Sequence, residues 1–128
     1  MGRAAAGADH AIVTSDNPRS ECPAAIAEQI ISGWPRSTPP RVILDRESAI
    51  QQAIHAAGPG DGVLIAGKGH EEFQIIGSEI RPFRDIEISL AAIASHPQRP
   101  SDWPNPPHRN IRQSMVLSRL PPLPRVRR

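Results

Sequence analysis

Ala11-Ile12-Val13-Thr14-Ser15-Asp16-Asn17-Pro18-Arg19-Ser20-Glu21 and Val63-Leu64-Ile65-Ala66-Gly67-Lys68-Gly69-His70-Glu71 decide how this chain is read. Each is a short apolar run closed by a polar loop. The apolar runs predict buried strands, the second apolar throughout as for burial on both faces. Proline ends the first run because it lacks a ladder donor. In an open α/β sheet the loops at the carboxyl ends of strands line the ligand crevice. These two loops supply a guanidinium, carboxylates, an amide and close-approach glycines. That set suits a small zwitterion carrying both carboxylate and ammonium.

Working outward, the pattern alternates between strand and helix. Residues 1–9 are alanine-rich and predict the tail of a helix. Pro23 sits where a helix can begin, and Ile26, Ala27, Ile30 and Ile31 make its apolar face. Gly33 supplies its stop. Arg41–Asp45 predicts a second strand, followed by a helix with Ile50, Ala53, Ile54 and Ala57 on one side. Ile26, Ile30, Ile50 and Ile54 are expected in the core. Gly58–Gly62 is a break before the strand at Val63–Ala66. Phe73–Ile76 and Ile80–Phe83, flanking Gly77-Ser78-Glu79, predict a β-hairpin. Asp85 is expected to cap a last helix reaching about Ala94. The class is therefore α/β, a Rossmann-like, mainly parallel sheet with flanking helices and a β-hairpin. The order begins partway through a helix, so the first strand is expected to be missing.

Composition divides the 128 residues near position 94. Residues 1–94 carry 8 Lys and Arg against 12 Asp and Glu, a net of −4. Residues 95–128 carry 7 Arg against 1 Asp, a net of +6, with 8 of the 15 prolines. Met115-Val116-Leu117 is the single apolar knot of that stretch, which is read as a disordered Pro/Arg-rich tail. One cysteine, Cys22, excludes an internal disulfide and fits a reducing, cytoplasmic setting. No apolar run approaches the roughly 18 residues of a membrane span, so no membrane partner is expected.

The carrying motifs, Val13–Glu21, Ala66–Glu71 and Arg81-Pro82-Phe83, lie in an order and at intervals that resemble the C-terminal domain of the Mur ligases. The likeness covers residues 1–94 and is to the muramoyl-tripeptide synthetases of bacterial cell-wall synthesis. These are ATP-dependent enzymes that join an amino acid to a UDP-linked muramoyl peptide. The Asp-Asn-Pro-Arg form goes, by this resemblance, with meso-diaminopimelate as the added amino acid. It places Asp16, Asn17, Arg19, Gly67 and Glu71 at diaminopimelate-contacting positions, with no catalytic or metal residue assigned.

Much of the family pattern is absent from this sequence. There is no Gly-x-x-x-x-Gly-Lys-[Ser/Thr] phosphate loop, no UDP-binding domain and no central ATPase domain. The resemblance implies an N-truncated fragment, with a shifted reading frame near residue 94 to account for the tail. ATP, Mg²⁺ and the UDP-muramoyl dipeptide are then expected of the intact enzyme, together with the missing ligase domains as partners. None of these cofactors is expected to bind this chain alone, which would not turn over by itself.

Plainer readings stand beside these. Asp-Asn-Pro is ordinary turn chemistry, and Arg19 could bridge to Glu21. Gly67-Lys68-Gly69-His70 could cradle a phosphate through its amides. His70 could serve as a general base, though a loop histidine that only hydrogen-bonds is the simpler reading. His10, His55, His96 and His108 show no metal-ligand spacing. A rival class is a non-enzymatic module that binds anions or nucleic acid through the basic tail. Trp103 is the lone aromatic there, and Pro121–Pro124 offers a Pro-x-x-Pro spacing. A solvated extension is the simpler account of that tail.

Overall fold

The computed structural model describes residues 2–35, 37–96 and 113–117. A short helix α1 (Gly2–Ala5) leads into strand β1 (His10–Val13). Helix α2 (Pro23–Ser32) follows, with proline in its first turn and Gly33 at its C-terminal cap. Strand β2 (Arg41–Val42) and helix α3 (Arg46–Ala56) come next, then strand β3 (Gly62–Ile65). Strands β4 (Phe73–Ile76) and β5 (Glu79–Pro82) form the expected hairpin, and α4 (Asp85–Ala94) follows.

Strand β6 (Gln113–Leu117) lies within the stretch read as a disordered tail. It coincides with the apolar knot at Met115–Leu117. The sheet order is β2-β1-β6-β3, and every neighbouring pair is parallel. The sheet therefore has no gap between β1 and β3, because β6 lies between them and pairs with both. Residues 97–112 and 118–128, including Trp103, His108 and the Pro-x-x-Pro spacing, lie outside the described residues.

Helix α3 explains most of the core. Ala49, Ile50, Ala53 and Ile54 recur at helical spacing and are all buried. They pack with Ile12, Phe83 and Ala92, against which Ile43, Val63, Ile65 and Ile88 are partly buried. The Asp45 carboxylate accepts from the Ser48 amide at 2.8 Å and caps the helix. On the other side of the chain, Gly2 allows α1 to approach the end of α2, since a Cβ there would stand 2.8 Å from the Ile30 carbonyl oxygen. Ala27 is the buried residue of α2, whereas Ile26 and Ile30 are only half-buried.

Two further expectations are revised. Leu64 is 54% exposed, so β3 buries one face and not both. Its alternation sends Val63 and Ile65 to the side covered by α3 and α4. Asp85 does not cap α4. It lies inside the first turn, Arg84 takes the cap position, and the carboxylate is held by Arg46 instead. In the hairpin, Ile76 pairs with Glu79 and leaves a two-residue loop of Gly77 and Ser78. Gly77 has φ +60°, as the first central position of such a turn demands.

Candidate functional site at the carboxyl ends of β1 and β3

Parallel pairing through β6 carries β1 and β3 in the same direction, so both polar loops leave the sheet at one edge. The geometry there joins them. Asn17 Nδ2 donates to Glu71 Oε2 at 2.6 Å, although the two residues are far apart in sequence. Asn17 Oδ1 accepts from the Ile75 amide at 2.8 Å, which fixes the side-chain amide against β4. Among the described residues, Glu71 Oε1 makes no hydrogen bond, and the side chain is 30% exposed. One carboxylate oxygen of Glu71 is thus anchored on a side chain that is partly exposed.

Arg19 stands further along the same loop. Its amide donates to the Ile75 carbonyl at 3.3 Å, and its carbonyl accepts from the Gly77 amide at 2.8 Å. These bonds hold it at φ +54°, in the left-handed region that a non-glycine residue seldom occupies. Its side chain is exposed, and among the described residues no ion pair joins its guanidinium to a carboxylate. The alternative bridge to Glu21 is thus not formed. Strain held at an exposed arginine by a clamped backbone is a pattern that points toward function.

Asp16 occupies a different position from the one expected for a ligand contact. It is 7% exposed. Its carboxylate faces Lys68 Nζ at 3.5 Å, and its carbonyl accepts from Gln74 Nε2 at 2.9 Å. Burial pushes the Asp16 carboxyl up from its ordinary value, against the pull of Arg46 and then Lys68. Asp16 thus works beneath the surface, joining the two loops and the hairpin. Gly67 is half-buried and has φ +109°, a conformation open to glycine, where the chain turns from β3 into the loop. His70 is exposed on the same loop.

Lys68 and Arg46 are the residues that the sequence reading undervalued. Lys68 turns inward, its amine donating to the Phe73 carbonyl, facing Asp16, and lying 4.0 Å from Glu71. The ring of Phe83 lies 5.8 Å away. An amine so engaged is turned away from the loop surface. Arg46, 1% exposed, makes two hydrogen bonds to Asp85, Nε–Oδ1 at 2.8 Å and Nη2–Oδ2 at 2.7 Å. Its guanidinium also reaches the Ala66 carbonyl at 3.4 Å. One signal was available: a cation at the first position of a helix opposes the helix dipole and needs a partner elsewhere. Arg81 completes the support by donating to Gln74 Oε1 at 2.9 Å. The Arg-Pro-Phe segment therefore buttresses the two loops from below.

Elsewhere, a depression of about 520 Å³ between α3, β3 and α4 is lined by Ile54, Val63, Ile65, Ile93 and His96 among others. It contains none of the motif residues. No cluster of three metal-ligating side chains occurs among the described residues. No helix among them is long and apolar enough to cross a membrane.

Comparison with known proteins shows the family. Residues 1–69 match the family described as Mur ligase, glutamate ligase domain. The chain belongs to the Mur ligase family. It is 54% identical over 94 residues to the UDP-N-acetylmuramoyl-L-alanyl-D-glutamate--2,6-diaminopimelate ligase of Trichormus variabilis, covering 73% of this chain and 19% of that protein. The proteins of the same description from Bradyrhizobium diazoefficiens and Bacillus cereus are 51% and 50% identical, over 72% and 67% of this chain and 18% and 17% of theirs. The chain spans about a fifth of the length of the curated relatives it matches.

Proposed function

We propose that this chain is the amino-acid-recognition part of an ATP-dependent ligase that adds meso-diaminopimelate to a UDP-linked muramoyl dipeptide. Recognition is assigned to residues 1–94. The observation that carries the reading is the 2.6 Å bond between Asn17 and Glu71, which brings the two motif loops to one place. Glu71 Oε1 meets an ammonium group. Arg19 meets a carboxylate with a planar fork whose geometry lysine does not copy. Gly67 keeps a Cβ out of the approach, and Asp16 holds the loops from below. A site that engages both ends of a polar ligand rejects analogues lacking one group, because a buried partner is left stranded.

The residues present do not fit ATP or its Mg²⁺. The sequence has no phosphate-binding loop, and the Lys68 amine is committed to Phe73, Asp16 and Glu71. No nucleotide step is therefore assigned to this chain. In the intact enzyme, working in the cytoplasm, other parts of the ligase would bind the nucleotide and the UDP sugar.

Titration calorimetry on the full chain tests the reading. Meso-diaminopimelate should bind saturably, and L-lysine, which lacks the second carboxylate, should bind far more weakly. Arg19→Ala should weaken diaminopimelate about ten- to a hundredfold, the loss expected for one charge-assisted contact. Equal binding of lysine and diaminopimelate, or no effect of Arg19→Ala, would remove the assignment. In the intact enzyme the same change should raise the diaminopimelate requirement much more than the ATP requirement.

A further inference from the structure

One strand of the sheet arrives out of turn. β6 comes last in sequence yet lies in the sheet interior, paired on both sides. On one side His10 to Val13 align with Ser114 to Leu117. On the other, Gly62 to Ile65 align with Gln113 to Val116. β1 and β3 do not pair with each other. Without β6, β3 has no sheet partner among the described residues, and β1 keeps only the two-residue ladder to β2.

The two strands would then face each other across about 10 Å, twice the spacing of neighbouring strands. Both facing edges would carry unpaired N–H and C=O groups. Such a gap admits one extended segment and satisfies it from both sides. The floor is already built, because α3 lies against β6 and its buried face belongs to the core.

We propose that the gap between β1 and β3 is a strand-acceptor slot, and that Gln113–Leu117 is a separable plug supplied by the chain itself. The segment has the chemistry such a slot selects. Met115-Val116-Leu117 is apolar, free of glycine and proline, and set among residues rich in proline and arginine. The residues between His96 and Gln113 can reach the slot, since an extended chain spans up to about 3.5 Å per residue. The fold of the whole domain is thereby conditional on a short segment remote from its motifs. The inference does not depend on the diaminopimelate reading.

Amide hydrogen exchange tests it. In the full chain, the amides of Ile12 and Leu64, which strand alternation directs at β6, should be protected. Val116→Pro removes a ladder donor from a strand paired on both sides. It should lower protection at those amides at least tenfold. A synthetic peptide of residues 110–120, added to Val116→Pro, should restore protection and saturate, while a scrambled peptide should not. The proposal fails if Val116→Pro leaves protection intact, or if no concentration of the peptide recovers it. It also fails if protection of the unaltered chain rises with protein concentration alongside a dimer mass, since a second copy would then supply the strand.

Discussion

The proposed function assigns ligand recognition to the guanidinium of Arg19 and the carboxylate of Glu71, and what surrounds them is mostly charge management. Among the described residues Lys68 and Arg46 are the buried cations, and Asp16, Asp85 and Glu71 answer them. Arg19 sits at φ +54°, so Arg19→Gly relaxes its backbone while deleting its side chain. That variant should keep its unfolding midpoint within a few degrees and lose diaminopimelate binding in calorimetry. Binding would thereby be separated from stability at a single position. Arg46→Met should behave in the opposite sense. It strands the Asp85 carboxylate and should cost roughly 3 kcal/mol in denaturant unfolding, with part recovered by also changing Asp85→Leu. Asn17, Arg19, Gly67 and Glu71 were legible from the motif. The inward turn of Lys68 was not, because a lysine between two glycines has equal local licence to face solvent.

At the scale of elements, local pattern and turn chemistry account for nearly every boundary. Proline opens α2, Asp45 caps α3, and Gly77 closes the hairpin. The Ser48 amide bond holds the Asp45 carboxyl below its ordinary value of 3.8. A carboxyl depressed in the folded state adds stability above 3.8 and loses it as pH falls through the depressed value. Asp45→Ala should therefore lower stability by about 0.5–1 kcal/mol at pH 7, at the modest end because the cap is exposed. The difference should vanish near pH 2 in thermal melts. Burial sorts the apolar positions further. Ile50→Ala, at a fully buried site, should cost about 2–5 kcal/mol, while Leu64→Ala, on the open face of β3, should stay within about 1 kcal/mol in the same denaturant titrations. The sequence read Leu64 as buried because an unbroken apolar run carries no mark of which side a helix will cover. It read Asp85 as a cap because the position of Arg46 in space has no local signature.

At the scale of the molecule, the α/β class, the hairpin and the two loops at strand ends followed from the sequence alone. So did the likeness to Mur ligases, since motif order and spacing survive without coordinates. These features rest on short-range physics: side-chain periodicity, the missing donor of proline and the φ freedom of glycine. Only the tertiary structure decided that Asn17 meets Glu71, that Lys68 points inward, and that Gln113–Leu117 completes the sheet. Each of these is a partnership between segments remote along the chain. It is chosen by which backbone groups and charges would otherwise go unpaired, and periodicity within one segment holds no record of that choice.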